Sequence, residues 1–285
     1  MVPRNFAPTS MSHAAIVQPS KAMPRLPQRI VCLTTETVEV LYALGEQDRI
    51  AGISGYTVRP PQARKEKPKV FAFTSGDIDK ILAVRPDLVL TFSDLQSEIS
   101  RDLIKAGVPV FAFNTRSVED ILGMIETVGR LVGAEAKALD IVAGLEAEIA
   151  QARAIAAERF AKTGKKPRVY FEEWDEPLIS GIRWVSELIE IAGGEDIFAE
   201  QASSPLAKDR RPTPEDVIAR APDIIIGSWC GKHFRPERVA ARPGWEAIPA
   251  VNRKNMHEIK SAIILTPGPV AISEGLPQLL TIFDL

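Results

Sequence analysis

Cys230 and His233 stand three residues apart, a spacing that suits half of a metal site or a thiol beside a base. A zinc shell needs further Cys or His ligands, and only His13 and His257 remain among the histidines. Glu172 and Glu173 form the second pair with chemical potential. Neighbours on a strand point to opposite faces, so the two carboxylates do not make one acid/base couple, and one facing a cleft with the other facing solvent is expected. Nucleotide signatures are missing. The first apolar run leads into Leu33-Thr34-Thr35-Glu36 rather than a Gly-x-Gly-x-x-Gly, and the chain has neither a Walker loop nor a His-Glu-x-x-His. These residues predict a protein that is not an enzyme and needs no cofactor or metal, with an enzyme built on Cys230 and His233 as the alternative. What remains suits holding a ligand: Trp174 and Trp229, each directly after an apolar run and in polar company, with Tyr56 and Phe73. Flat rings bury much area at small entropy cost, which favours a large planar or macrocyclic ligand. Trp245, within Pro243-Gly244-Trp245, reads as core.

Positioning such residues takes a scaffold, and 285 residues against about 150 for a domain is enough for two lobes with separate cores. The 35 basic and 37 acidic side chains nearly cancel to a net charge of −2, which excludes a nucleic-acid footprint. Cys32 and Cys230 lie too far apart in sequence for a disulfide framework. Residues 1–28 are rich in Pro, Ser, Ala and Arg without a hydrophobic period and read as a disordered leader. That leader has no apolar run long enough for an export signal.

From Arg29 onward short apolar runs alternate with helical patterns, the rhythm of parallel α/β units. Ile30–Leu33 reads as a strand, Thr37–Leu44 as a helix closed by Gly45, and Ile50–Ile53 as a strand. A helix over Ile78–Val84, the strand Leu88–Leu90, a helix over Glu98–Ala106 and the strand Val108–Phe113 complete the first lobe, residues 29–133. Residues 134–166 read as a connecting backbone helix, roughly 40 Å long at about 1.5 Å per residue. The rhythm resumes over residues 167–285. An internal repeat supports two related lobes: Asp79–Val89 lies over Glu215–Ile225 without a gap, Pro86-Asp87 falling on Pro222-Asp223. Asp79 and Glu215 then start equivalent helices, where an acid suits the helix dipole. Loops after strand C-termini are where open α/β sheets bind ligands, which selects Thr34, Glu36, Ser93, Asp94 and Glu172 as polar contacts beside Tyr56, Phe73, Trp174 and Trp229. Arg59, Arg116 and Lys260 are scattered, which points to a ligand of little negative charge.

The runs Arg29–Leu33, Thr37–Gly45 and Asp48–Ile53 resemble the opening of the cobalamin and ferric-siderophore substrate-binding proteins. Tyr56 with Pro60-Pro61, Pro68-Lys69-Val70, Pro86–Leu90, Ala192-Gly193-Gly194, Pro243-Gly244-Trp245, Ile248–Val251 and Pro267-Gly268-Pro269 follow in the family's order. The resemblance implies an α/β fold of two Rossmann-like lobes joined by one long α-helix, with the ligand in the cleft between them. It also implies a monomeric, periplasmic receptor that delivers a metal chelate, here a cobalamin or related corrinoid, to an ABC transporter permease. Asp79 and Glu215 match by motif the acids with which the family docks on that permease. A ferric-siderophore or haem receptor, and a cytoplasmic corrinoid sensor consistent with the leader's lack of an export signal, are the alternatives.

Overall fold

The computed structural model describes residues 26–72 and 77–285, so Phe73 and the leader up to residue 25 lie outside the described residues. The first lobe runs β1 (Ile30–Cys32), α1 (Thr35–Leu44), β2 (Ile50–Ser54), α2 (Pro61–Glu66), β3 (Lys69–Phe71), α3 (Ile78–Ala83), β4 (Leu88–Phe92), α4 (Ser97–Lys105), β5 (Val110–Phe113) and α5 (Val118–Val132). Its strands form one parallel sheet in the order β3-β2-β1-β4-β5. The helix α6 (Glu135–Thr163) follows, 29 residues and thus about 44 Å long. The second lobe runs β6 (Arg168–Asp175), β7 (Leu178–Ser180), α7 (Arg183–Ile191), β8 (Glu195–Asp196), α8 (Ala199–Ala202), α9 (Pro214–Arg220), β9 (Ile224–Gly227), α10 (Pro236–Ala240), α11 (Pro249–Asn252), β10 (Met256–Glu258), α12 (Ser261–Ile264) and α13 (Leu276–Phe283). Its sheet has the order β10-β9-β6-β7, with β8 also pairing β6 and only β7 antiparallel.

The helix stops are those glycine dictates. Gly45, Gly133 and Gly164 close α1, α5 and α6 in the left-handed region, where a residue without Cβ carries no steric cost. Ser117 opens α5 with a reciprocal capping box to Asp120. Strand residues alternate between two cores. Ile30, Cys32, Val169 and Phe171 face one cluster, while Val31 and Leu33 face a second and Tyr170 a third.

The first of these clusters differs from the two separate cores that the chain length suggests. It runs without a break from Ile30 and Leu90 in the first lobe, through Ile125, Val142, Leu145 and Ile149 on α5 and α6, to Leu188 and Ile226 in the second. The physical reason is the helix layer. α6 carries one apolar stripe and buries Ala138, Val142, Leu145, Ile149 and Ala152 against both lobes. Each lobe keeps a private core only on the far face of its sheet, where Trp245 is fully buried in the second lobe as its sequence context suggested.

The repeat is visible in the backbone. Asp87 accepts the amides of Gln28 and Arg29, both at 2.8 Å, and its own N–H donates to the Arg29 carbonyl, which pins β4 beside the start of β1. Asp223 accepts the Arg168 amide at 3.2 Å and donates its own N–H to the Arg168 carbonyl, pinning β9 beside β6. Arg85 and Ala221, equivalent in the repeat, both take left-handed backbone with φ of 48° and 44°.

Candidate functional site

The C-terminal ends of the parallel strands carry the loops of interest, and those of the two lobes meet there. On one flank the guanidinium of Arg116, just beyond β5, donates to the Pro205 carbonyl of the second lobe at 3.4 Å and reaches Asp94 at the same distance. Next to it the Val118 amide donates to Glu187 on α7 at 2.6 Å. On another flank Arg59, beyond β2, hydrogen-bonds Glu274. Between these contacts lie the ends of β1, β4, β6 and β9.

The residues expected to line a cleft fall into two groups. Tyr56 is 68% exposed, Asp94 is exposed beside Arg116, and Trp174 is half-buried with its indole N–H donating to the Glu176 carbonyl. Ser93, at the end of β4 with a positive φ of 52°, is itself buried, its hydroxyl accepting the Leu95 amide. The second group faces inward. Thr34 precedes α1 and is buried, as is Glu36 in the helix's first turn, 4% exposed. Glu172 has no exposed surface: Arg242 grips both its oxygens at 2.6 and 2.9 Å, and the Trp229 indole N–H donates to it at 2.9 Å. Trp229 itself is buried edge-on to Phe234.

Glu36, Glu172 and Trp229 therefore present no face to a ligand in this structure. Each has a local cause. Alternation along β6 does split the glutamates: Glu172 turns into the core, and Glu173, partly exposed, turns to the wholly buried Arg210, which also donates to the Ser180 carbonyl. Trp229, two residues past the end of β9, turns inward to Glu172 and Phe234.

Two basic residues that sequence reasoning did not consider, Arg210 and Lys232, lie near these loops, with Arg116, which it set aside as a scattered charge. Arg116 and Arg210 approach from opposite lobes: Arg116 is held below the usual arginine range by desolvation, against the pull of Asp94, with the positive charge of Arg210 adding to the effect. Arg116 also lies over the Phe92 ring at 5.2 Å. Lys232 sits 3.9 Å above Trp174 and 5.2 Å from Trp229 while pairing with Asp175. Arg116 and Lys232 carry only the signal of following a strand, which many surface charges share, and Arg210, after the turn Ala207–Asp209, carries none.

Cys230 is exposed, and its thiol is pushed up by burial of the sulfur and by the charge of Glu173, which disfavours a thiolate nucleophile. His233 is exposed 3.7 Å from Glu258. Among the described residues no group of three His, Cys, Asp or Glu is placed to hold a metal ion. Asp79 and Glu215 are both exposed in the first turns of α3 and α9, whose caps Asp77 and Thr213 are also equivalent in the repeat.

Two parallel-sheet lobes joined by one long helix, with their strand-end loops meeting across a cleft, define a two-lobed ligand-binding protein. The chain belongs to the family described as periplasmic binding protein, whose pattern matches residues 30–263. It is 25% identical over 246 residues to the vitamin B12-binding protein of Vibrio parahaemolyticus, covering 85% of this chain and 84% of that one. It is 26% identical over 261 residues, 89% and 79% of the two chains, to an uncharacterised ABC transporter substrate-binding lipoprotein of Bacillus subtilis. Among solved structures it resembles the periplasmic haem-binding protein RhuT of Roseiflexus, with TM-score 0.77, 24% identity and coverage of 90% and 98%. It also resembles the periplasmic vitamin B12-binding protein BtuF of Vibrio cholerae, with TM-score 0.72, 20% identity and coverage of 90% and 97%. These structural likenesses describe the fold.

Proposed function

We propose that this chain is the substrate-binding component of an ABC importer and holds a cobalamin or related corrinoid between its lobes. The observation that carries the reading is the similarity to the Vibrio vitamin B12-binding protein over 85% of the chain. The cleft suits that ligand class: Tyr56 and Trp174 offer aromatic surface from opposite lobes, and Asp94 offers an exposed carboxylate just past β4. Asp79 and Glu215, exposed at equivalent helix starts, are the acids through which the two lobes would meet basic groups of a two-fold symmetric permease.

A second reading has its own support. Arg116, half-buried just beyond β5, offers a guanidinium that suits a ligand with carboxylate or other anionic arms, as a ferric siderophore or haem carries. Calorimetric titration with cobalamin, cobinamide, haem, a ferric hydroxamate and a ferric catecholate separates the readings. Tight corrinoid binding, weakened about tenfold or more by Trp174→Ala, is the expected result, in keeping with about 1.4 kcal/mol per decade. Binding of the anionic chelates alone, lost in Arg116→Ala, overturns the corrinoid assignment in favour of the second reading.

A further inference from the structure

The contact between α1 and the Pro267-Gly268-Pro269 segment of the second lobe is built around carboxyl groups that have almost no water and few partners. Glu36 and Glu39 are three residues apart on α1 and so share one face. Gly268 is seated on that face so closely that a Cβ there would come within 2.8 Å of Glu39 Oε2 and 3.0 Å of Glu36 Cβ. Arg59, from the loop after β2, places its Nε 3.4 Å from Glu39 Oε1 and hydrogen-bonds Glu274, which lies just before α13. Glu39 is 7% exposed, and neither of its carboxyl oxygens makes a well-formed hydrogen bond. Glu39 and Glu274 thus share one guanidinium at the junction of the lobes, with Glu36 beside Glu39 on the same helix face.

We infer that Glu36, Glu39, Arg59 and Glu274 form a proton-operated latch between the lobes, in which the carboxyl groups of α1 are protonated while the Gly268 segment is seated and ionise when it lifts. This inference stands whichever ligand the cleft takes. A buried carboxylate without full hydrogen bonding is costly, so the neutral form is the one the closed contact accommodates. Removing water pushes Glu39 up to about 8, with Arg59 and the Val270 amide opposing and the charges of Glu36 and Glu274 adding. Burial likewise pushes Glu36 up to about 7, against hydrogen bonds from Thr34 and its own backbone. From the inner side the Cys32 thiol feels the charge of Glu36, and burial holds it protonated, pushed up to about 12. Glu36 and Glu39 interact, so they titrate as a pair.

The sign follows from linkage. Both groups are raised above 4.5, so the seated contact binds more protons than the lifted one. Its stability is complete below about pH 4.5 and is lost as pH rises through 7 and 8. Lifting the segment frees Arg59 and Gly268 together and loosens one flank of the cleft.

The test reads the wild-type protein and two variants. Carbon-13 NMR titration of glutamate carboxyls in the wild type should show two buried groups with midpoints near 7 and 8. Hydrogen exchange at Gly268, Val270 and Ala271, corrected for intrinsic rates, should lose about tenfold or more in protection between pH 6 and 9, in line with about one decade per proton and pH unit. Glu39→Gln and Glu36→Gln, neutral at every pH, should each reduce that dependence, and the double variant should abolish it. All glutamate midpoints near 4.5, protection that does not change with pH, or full pH dependence retained in a folded double variant would each overturn the latch. If the double variant does not fold, the wild-type titration decides alone.

Discussion

Glu172 illustrates how a residue selected for its chemistry can serve packing instead. Its position beside Glu173 at the end of an apolar run was legible, as was the alternation that separates the two side chains. Arg242, 70 positions away, was not, because nothing in the sequence ties the turn after α10 to β6. The pair is buried on the carboxylate side and bidentate, and Trp229 completes it. Removing one member of such a pair leaves the other without compensation, at about 3–5 kcal/mol. Arg242→Ala should therefore lower stability by that amount in urea unfolding. Arg242→Lys keeps the charge but loses the second hydrogen bond and should cost less, while a loss below about 1 kcal/mol in Arg242→Ala would show that Glu172 finds water instead. At Trp174 the reading depends on Lys232, whose ammonium covers one ring face. An exposed cation–π pair contributes about 0.5–1 kcal/mol, and Lys232 also pairs with the nearly buried Asp175, so Lys232→Ala should cost more than the cation–π contact alone and alter indole fluorescence and ligand affinity if Trp174 meets the ligand.

At the scale of elements, the repeat shows what a Pro-Asp pair before an apolar run does. The aspartate clamps the start of its own strand to the start of the neighbouring one, twice in the chain. Asp87 holds two amides at 2.8 Å and Asp223 one at 3.2 Å, so Asp87→Ala should cost more than Asp223→Ala. Charged hydrogen bonds contribute about 1.5–3 kcal/mol each before solvent exposure weakens them. Urea unfolding of both variants checks the order, and equal losses would show that the number of amides held does not set what each clamp contributes. Ala221 carries left-handed backbone at a cost of about 1–2 kcal/mol, against about 0.5–1 kcal/mol of chain entropy for glycine. Ala221→Gly should raise the midpoint of thermal unfolding slightly. Regular elements were legible because periodicity, glycine stops and caps are local. The start of α1 at Thr35 rather than Thr37, the antiparallel β7 and the two-residue β8 were not, because they depend on partners that only the folded sheet supplies.

For the molecule as a whole, the question is whether the two lobes behave as two bodies. The way each lobe meets α6 argues that they do not. On the first-lobe side Gly129 of α5 lies so close that a Cβ would stand 2.3 Å from the Cβ of Ala138. On the second-lobe side Gly193, just after α7, would place one 2.6 Å from the Cβ of Ala156. These contacts lie about 27 Å apart along one helix, and between them runs the apolar stripe that belongs to the common core. Opening by a large hinge would have to separate that stripe, so binding should change the radius of gyration in small-angle scattering by less than about 1 Å, the backbone shift typical of preorganised partners. For the same reason denaturant should unfold both lobes in one transition despite their separate sheets. Gly129→Ala tests the connection directly. Forcing a methyl into that contact costs about 1–3 kcal/mol and pushes α5 off α6, which should split the single transition in two and widen the scattering change on ligand addition. A variant that keeps one transition and the same compactness would mean that the lobes are coupled elsewhere, through the strand-end contacts of Arg116 and Arg59 rather than through the long helix.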